Sequence, residues 1–225
     1  MPRHVWARRF AMATTAAGVI AVVAAIALVL VNFTFTRQDD EAMRPTLESG
    51  SVLIVERIGP EEVRRGDLVL VNALTWSPDG YVVRRVLGTP GDQVKGDIVG
   101  GVSVNGTWVD EPYLYEGYIQ KPYDVKIRPG RLFLLGDHRH IAVDSRSSTD
   151  GQPVTIPASQ VRGRVVWTSH GRLGAGLPPT LRNARTLAAG GLTLTALGAA
   201  LWSRPIKPTR HREGQNTPDA PPSAT

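Results

Sequence analysis

Two long uncharged stretches flank a central region in which apolar residues alternate over short distances. Residues 10–36 carry no charge and are mostly apolar, and residues 186–203 form a second uncharged run. About 20 apolar residues in a helix span the hydrocarbon core of a membrane. The pattern therefore predicts an uncleaved transmembrane helix over 10–36 and a second, shorter one over 186–203.

Both runs have an alternative interpretation. A cleaved signal peptide needs a shorter apolar region with a small-residue exit, whereas the first run leaves through Leu30, Val31, Asn32 and Phe33. The second run contains several Gly and Thr, and its alternative is an amphipathic or buried helix of the soluble domain. Trp202 at its end is typical of a membrane interface, which favours a span.

The central region, residues 37–170, has the pattern of a β domain. Its apolar segments are short, and turn-forming pairs such as Pro90-Gly91 and Pro129-Gly130 separate them. Frequent short strands with turn signals predict an all-β barrel or sandwich. Asn105-Gly106 between VSV and TWV gives the strongest hairpin signal.

The distribution of charge indicates a topology. The chain has 26 basic and 20 acidic residues and a net charge of +6, which could indicate nucleic-acid binding. Residues 37–185 are nearly neutral, however, and the excess lies in residues 1–9 and 204–225. Short basic flanks stay in the cytoplasm. We therefore predict both termini inside, the β domain outside and no nucleic-acid partner.

The remaining segments and the composition complete this prediction. Residues 171–185 are expected to be a linker, and the Pro-rich polar segment 204–225 a disordered tail. The chain has no cysteine, which excludes disulfides, thiolate metal sites and a cysteine nucleophile. Neither a metal nor another cofactor is predicted.

Six motifs occur in series within the central region, and their order resembles that of type I signal peptidases. The resemblance covers about residues 38–168. Single motifs of this kind mean little, but six in order are specific. They are AMRPTL (42–47), RRGDLVLVN (64–72), VVRRVLGTPGDQV (82–94), VSVNGTWVDEPYL (102–114), LGDHRHIAVDSRS (135–147) and IPASQVRGRVV (156–166).

The resemblance implies a membrane-bound serine endopeptidase that removes signal peptides from exported preproteins. Its β-rich domain lies on the outer face of the bacterial plasma membrane, and a second span with a cytoplasmic tail fits some actinobacterial members. In the family a serine hydroxyl attacks the scissile carbonyl while a neutral lysine takes the proton. A second serine orients the lysine, and small or hydroxyl residues near the nucleophile complete the oxyanion hole.

This chain departs from the family at each of these positions. The nucleophile position holds Ala42, whose methyl group cannot attack a carbonyl. The base position holds Arg84, and a guanidinium is never neutral in proteins. Ala142 stands at the orienting serine, and Asp40 at the oxyanion donor, where a carboxylate opposes negative charge. We expect Arg84 to pair with Asp40 or Glu41.

The scaffold motifs persist. In LGDHRHIAVDSRS the matching residues are expected to hold loops rather than to catalyse, because turn glycines and Asp–Arg pairs are typical structural devices. They are Gly136, Asp137, Arg139, Asp144, Ser145 and Arg146. The resemblance also implies peptide-binding positions beside the Ala42 segment, namely Met43, Pro45, Val82 and Val83.

Other groups could in principle replace the missing chemistry. Ser49 and Ser51 follow the Ala42 segment but fall where the family has its next strand. His138 and His140 could share one face of a strand near Asp137, but no third metal ligand is identified, and packed or surface histidines are the default.

Three functions remain open from the sequence. The first is a non-catalytic homologue that binds signal peptides or preproteins, or assists an active signal peptidase. The second is an active signal peptidase with rewired chemistry. The third is a structural membrane protein without a peptide groove. Fold resemblance alone does not choose between them.

Overall fold

The structure is a computed structural model that describes residues 3–77, 80–115, 117–147, 153–169, 171–172 and 179–203. The chain forms two compact units. One contains the residues up to Ala24 together with those from Leu187 onward. The other contains Ala25–Thr186 and includes all of the strands. The predicted tail over 204–225 lies outside the described residues.

Two helices are long and apolar enough to cross a membrane, α1 (Arg3–Asn32) and α2 (Pro179–Trp202). The predicted first span over 10–36 was too long at its end, because Phe33–Arg37 is a strand with alternating burial. Helix α2 begins inside the predicted linker over 171–185, with proline at its first position, where the missing N–H has no helical acceptor to lose.

Small residues bring α1 and α2 together within the first unit. A Cβ on Gly191 would lie 2.7 Å from the carbonyl oxygen of Gly18, and a Cβ on Gly198 would abut the hydroxyl of Thr15. A Cβ on Gly18 would in turn meet Thr195. Close backbone approach at small residues is the usual way in which helices associate in lipid.

The second unit is built on an eight-stranded antiparallel sheet and a four-stranded one, as the alternation predicted. The strands of the large sheet are β1 (Phe33–Arg37), β2 (Val52–Glu56), β3 (Leu68–Asn72), β4 (Tyr81–Gly88), β9 (Arg131–Leu135), β10 (Ile156–Pro157), β11 (Val161–Thr168) and β12 (Gly171–Arg172). They follow the order β1-β2-β11-β3-β4-β9-β10, and β12 pairs with β11.

The smaller sheet has the order β7-β6-β5-β8. Its strands are β5 (Gln93–Gly96), β6 (Val102–Val104), β7 (Thr107–Trp108) and β8 (Tyr123–Lys126). Asn105 and Gly106 join β6 to β7 with φ values of 53° and 81°, as the hairpin signal predicted. Short 3₁₀ turns at Pro60–Glu62 and Ala158–Gln160 complete the described elements of this unit.

One hydrophobic cluster supports the segment that contains Ala42. It joins residues from the turn after β1 to residues of β2, β3, β4 and β11, and all of its members are buried. The turn is therefore anchored to the centre of the large sheet. The members of the cluster are Met43, Leu47, Leu53, Val55, Leu68, Leu70, Val83 and Val165.

Candidate functional site

Ala42 lies in a tight turn between β1 and β2. Its neighbour Met43 is fully buried, and so is Leu47, whose N–H donates to the carbonyl of Met43 at 2.9 Å. Pro45 follows a cis peptide bond and is exposed. The two buried side chains fix the turn on the sheet and place Ala42 next to the residues that follow β9.

Gly136 makes this close approach possible. A Cβ on Gly136 would lie 2.7 Å from the carbonyl oxygen of Ala42 and against the Cβ of Ala142. The N–H of His138 also donates to the carbonyl of Ala42 at 2.9 Å. The positions expected for a nucleophile and for its orienting serine are thus adjacent, and each presents only a methyl group.

Arg84 enters this site from β4 and is almost completely buried, with 2% of its side chain exposed. Its Nε donates to the carbonyl of Val143 at 3.0 Å, and its Nη1 to the carbonyl of Val83 at 2.6 Å. Both terminal nitrogens donate to Oδ2 of Asp40 at 3.1 Å. The expected pairing with Asp40 is therefore present.

The carboxylate of Asp40 is also bound from its other side. Its Oδ1 accepts the backbone N–H of Ala42 at 3.0 Å and the amide of Gln38 at 2.5 Å. An N–H at a nucleophile position is the kind of donor that stabilises an oxyanion in acyl transfer. In this protein, the carboxylate of Asp40 accepts the hydrogen bond from the N–H at that position.

The second arginine of the pair, Arg85, has a structural partner. Successive side chains of a strand point to opposite faces, and Arg85 donates from Nε to Oδ1 of Asp137 at 2.8 Å. Thr46 donates to the same carboxylate, and the guanidinium of Arg85 lies 3.7 Å from the ring centre of Tyr113. Asp137 thus links the Ala42 turn, β4 and the loop after β9.

The rest of that loop is held by two further ion pairs. Asp144 is fully buried, binds Arg146 at 2.9 Å and accepts the N–H of Gly136 at 3.0 Å. Arg139 is ion-paired with Glu111. Burial works to lower the pKa of Arg139, but the Glu111 carboxylate helps to outweigh burial and raises it.

Ser145 has a similar structural role, because its hydroxyl accepts the N–H of Leu134 at 2.9 Å. Every scaffold residue named from the sequence in this loop therefore takes part in holding it together.

In the described part of the chain, the side chains of Ser49 and His138 contact groups other than Ala42. Ser49 donates to the carbonyl of Asp39 at 3.3 Å, and Ser51 is buried. His138 and His140 lie in a turn rather than on a strand, and the ring of His138 packs 4.4 Å from that of Tyr115.

None of the lysines among the described residues stands at the base position. Lys95 pairs with Asp124 at 2.9 Å, Lys126 donates to the carbonyl of Gly91 at 2.7 Å, and Lys121 lines a cavity that Ala142 also lines. At the four family positions, the side chains therefore offer neither a nucleophile nor a base that can be neutral. Instead, Arg84, the backbone N–H of Ala42 and the amide of Gln38 together bind the carboxylate of Asp40.

A groove opens beside this site. A cavity of about 170 Å³ is lined by Gln38, Asp40, Val82 and Val83, among others, and it shares Leu70 and other residues with a larger cavity of about 620 Å³. Val82 and Val83 thus line the groove as peptide-binding positions would, while Met43 packs beneath it in the core. Pro45 is exposed and does not line either cavity.

Comparison with known proteins assigns the family. Residues 11–169 match the family described as signal peptidase, peptidase S26. The chain belongs to this family. Its relatives include signal peptidase I of Bacillus caldolyticus, which is 38% identical over 129 residues that cover 48% of this chain and 66% of that protein. Signal peptidase I S of Bacillus subtilis is 33% identical over 145 residues, or 57% of this chain and 74% of that one.

The solved structures similar to this signal peptidase homologue include a signal peptidase I from Enterococcus faecalis. The match has 21% identity and a TM-score of 0.38, and it covers 46% of this chain and 96% of that one. The aligned segment spans just under two thirds of the Bacillus caldolyticus relative.

Sequence reasoning missed several partners in the site. Gln38 binds the Asp40 carboxylate and Val143 accepts from Arg84, but neither belongs to a position with a recognisable pattern. Tyr118, whose hydroxyl accepts from Arg139 at 2.5 Å, was also not foreseen. Glu111 lies in the EPYL segment, directly before a proline. Its acidic side chain was the one sequence signal that could have indicated a partner for Arg139.

Proposed function

We propose that this protein is a non-catalytic signal peptidase homologue that holds extended segments of exported proteins in the groove beside Ala42. The observation that carries this proposal is the ion pair of the buried Arg84 with Asp40, at the positions where the resemblance places the family's base and oxyanion donor. A guanidinium cannot accept a proton, and the methyl group of Ala42 cannot attack a carbonyl.

The edge of β4 that lacks a strand partner supports peptide binding. Val86 exchanges hydrogen bonds with Gly66 and Asp67, so its backbone faces the β3 side. Because backbone groups alternate along a strand, Val83 faces the opposite edge. Strand β9 pairs with β4 only from Arg85 onward. Within the described residues, the edge at Val83 therefore has no strand partner, and an extended peptide can add there.

The two candidate membrane helices would hold this groove at a membrane. From the basic ends of the chain, we place both termini in the cytoplasm of a bacterium and the β domain outside. The ligands in this arrangement are signal peptides or preproteins, and an active signal peptidase is the natural protein partner.

A cleavage assay tests the loss of catalysis. The full chain, purified in detergent, is incubated with a preprotein beside signal peptidase I S of Bacillus subtilis as a positive control. We expect no product from this chain. Cleavage that a signal peptidase inhibitor abolishes, or rescue of growth in a strain depleted of its own signal peptidase, would establish the active alternative.

Crosslinking tests the groove. A signal peptide with a photoreactive group near its carboxyl end should label residues beside Val83, and an excess of unlabelled peptide should suppress the labelling. The expected labelled peptide after digestion contains β4. Absence of labelling would favour a purely structural protein over a peptide-binding one.

A further inference from the structure

The site beside Ala42 binds a carboxylate, that of Asp40, through a charged side chain, an amide side chain and a backbone N–H. Asp40 receives four hydrogen bonds, two from Arg84, one from the N–H of Ala42 and one from Gln38. A guanidinium and a backbone N–H on opposite sides of one carboxylate give the strong, charge-assisted type of hydrogen bond. We call Arg84, the Ala42 N–H and Gln38 the carboxylate nest.

The two charged partners differ in how replaceable they are. The side chain of Arg84 is 2% exposed and is also fixed by the carbonyls of Val83 and Val143. The side chain of Asp40 is 42% exposed and belongs to the loop after β1. A rotation of Asp40 into solvent leaves a buried cation that requires another anion, because an uncompensated buried charge is costly.

The groove determines what that other anion is attached to. Val82, Val83 and Leu70 add apolar surface to a largely polar lining, and the unpaired edge of β4 provides backbone groups for an extended chain. The carbonyl of Val83 keeps a second lone pair beside the one that Arg84 uses. A peptide bond offers no charge to Arg84, whereas the last residue of a chain offers a carboxylate.

We propose that the carboxylate nest binds the free carboxyl terminus of a peptide, which displaces Asp40 from Arg84. The ligand class is therefore a peptide that has already been cleaved, such as a released signal peptide, rather than an intact preprotein. This inference rests on the proposed peptide-binding function and adds the chemistry of the end that is recognised.

Binding of two labelled peptides to the full chain tests the inference. Both carry the same apolar sequence ending in Ala-x-Ala, one as the free acid and one as the carboxamide, and fluorescence anisotropy measures the two Kd values. We expect the acid to bind at least about tenfold more tightly. Equal affinities would overturn the inference and leave peptide binding intact, and absence of binding by both would overturn the proposed function as well.

Two variants localise the effect. Asp40→Asn removes the competing charge, so the acid should bind more tightly still while the amide is unchanged. Glu41→Gln removes the same charge from the next residue, which is ion-paired with Arg44 at 3.5 Å, and serves as the matched control. If Glu41→Gln tightens the acid as much as Asp40→Asn does, general electrostatics explains the effect and the nest does not.

Stability provides a second readout in case Asp40→Asn folds poorly. N-acetylalanine should raise the Tm of the Asp40→Asn variant more than N-acetylalaninamide does, and should have little effect on the wild-type chain. Arg84→Met, which keeps an apolar side chain of similar length, should remove the difference between acid and amide in every assay. Retention of the difference in Arg84→Met would contradict the assignment.

Discussion

At the scale of single residues, the pairing of Arg84 with Asp40 is asymmetric. Arg84 is buried among carbonyls, while Asp40 is partly exposed. Desolvation of an ion in the protein interior is recovered only if its partner remains. The two members of one salt bridge therefore differ in what their removal does to the folded state.

Removal of each charge in turn should expose this asymmetry. Asp40→Ala leaves the buried guanidinium without its counter-ion and should lower the free energy of unfolding by about 2 to 4 kcal/mol. Arg84→Met replaces the buried charge by an apolar side chain and should change it by less than about 1 kcal/mol. Chemical denaturation of the purified chain measures both. Equal losses of the free energy of unfolding in the two variants would show that the burial of Arg84 does not make Asp40 the more costly residue to remove.

At the scale of elements, the site depends on how the loop after β9 meets the turn before β2. Gly136 is the contact point, because its Cα faces the backbone of Ala42 with no room for a methyl group. Overpacking at a rigid contact forces backbone shifts that usually cost about 1 to 3 kcal/mol. The two segments cannot separate freely, since Asp137 and His138 also bind the Ala42 turn.

Gly136→Ala should therefore lower stability by about 1 to 3 kcal/mol and weaken binding of acid-ended peptides. Gly117→Ala is the matched control, because a Cβ at Gly117 would meet nothing within 4 Å. Thermal unfolding and the anisotropy assay measure the two effects. A Gly136→Ala variant that resembles Gly117→Ala in both would show that the contact is not tight.

At the scale of the whole molecule, we expect stability in acid to depend on a carboxylate that is not one of the site residues. Asp92 accepts from Arg65 and Asn105 at 2.9 and 2.8 Å and from the N–H of Thr89 at 2.8 Å. Burial, the largest single influence, works to raise its pKa, but these hydrogen bonds together lower the pKa of Asp92 to about 2.

A carboxyl group whose pKa is lower in the folded state than in the unfolded state stabilises the folded state at pH values above the unfolded pKa. This stabilisation is lost as the pH falls through the folded-state pKa. The contribution of Asp92 should thus be complete above about pH 4 and disappear towards pH 2, with a magnitude of about 1 to 2 kcal/mol after screening by solvent. Denaturation of wild type and Asp92→Asn across this range measures it. Parallel pH profiles of the two proteins would contradict this role.

Much of the second unit could be predicted from its sequence, because each local signal agreed with the fold. The hairpin at Asn105-Gly106 and the loop held by Asp144 and Arg146 are set by short-range chemistry. The pairing of Arg84 with Asp40 followed from placing two unusual residues on known motif positions. Because Arg84 and Asp40 carry opposite charges, they form an ion pair once the fold brings their two motifs together.

Other features depended on distant parts of the chain. An uncharged run does not mark where a helix gives way to a strand, and Phe33 becomes the first residue of β1 because it pairs opposite Glu56. Besides Asp40, Arg84 donates to two backbone carbonyls, and because every residue carries a carbonyl the sequence cannot single these two out. Gln38 was missed for a similar reason, as its role arises only where its loop folds beside Asp40.

The interlocking of Arg84 with Asp40 also bears on how this lineage can change. A single substitution to Lys at position 84 or to Ser at position 42 leaves the carboxylate on the Ala42 N–H, and a single loss of Asp40 strands a buried cation. Under the proposed non-catalytic function, we therefore expect each single substitution towards the family's Ser and Lys to give no activity, and loss of Asp40 to give a less stable protein. On that proposal, a return to proteolysis requires several coordinated substitutions.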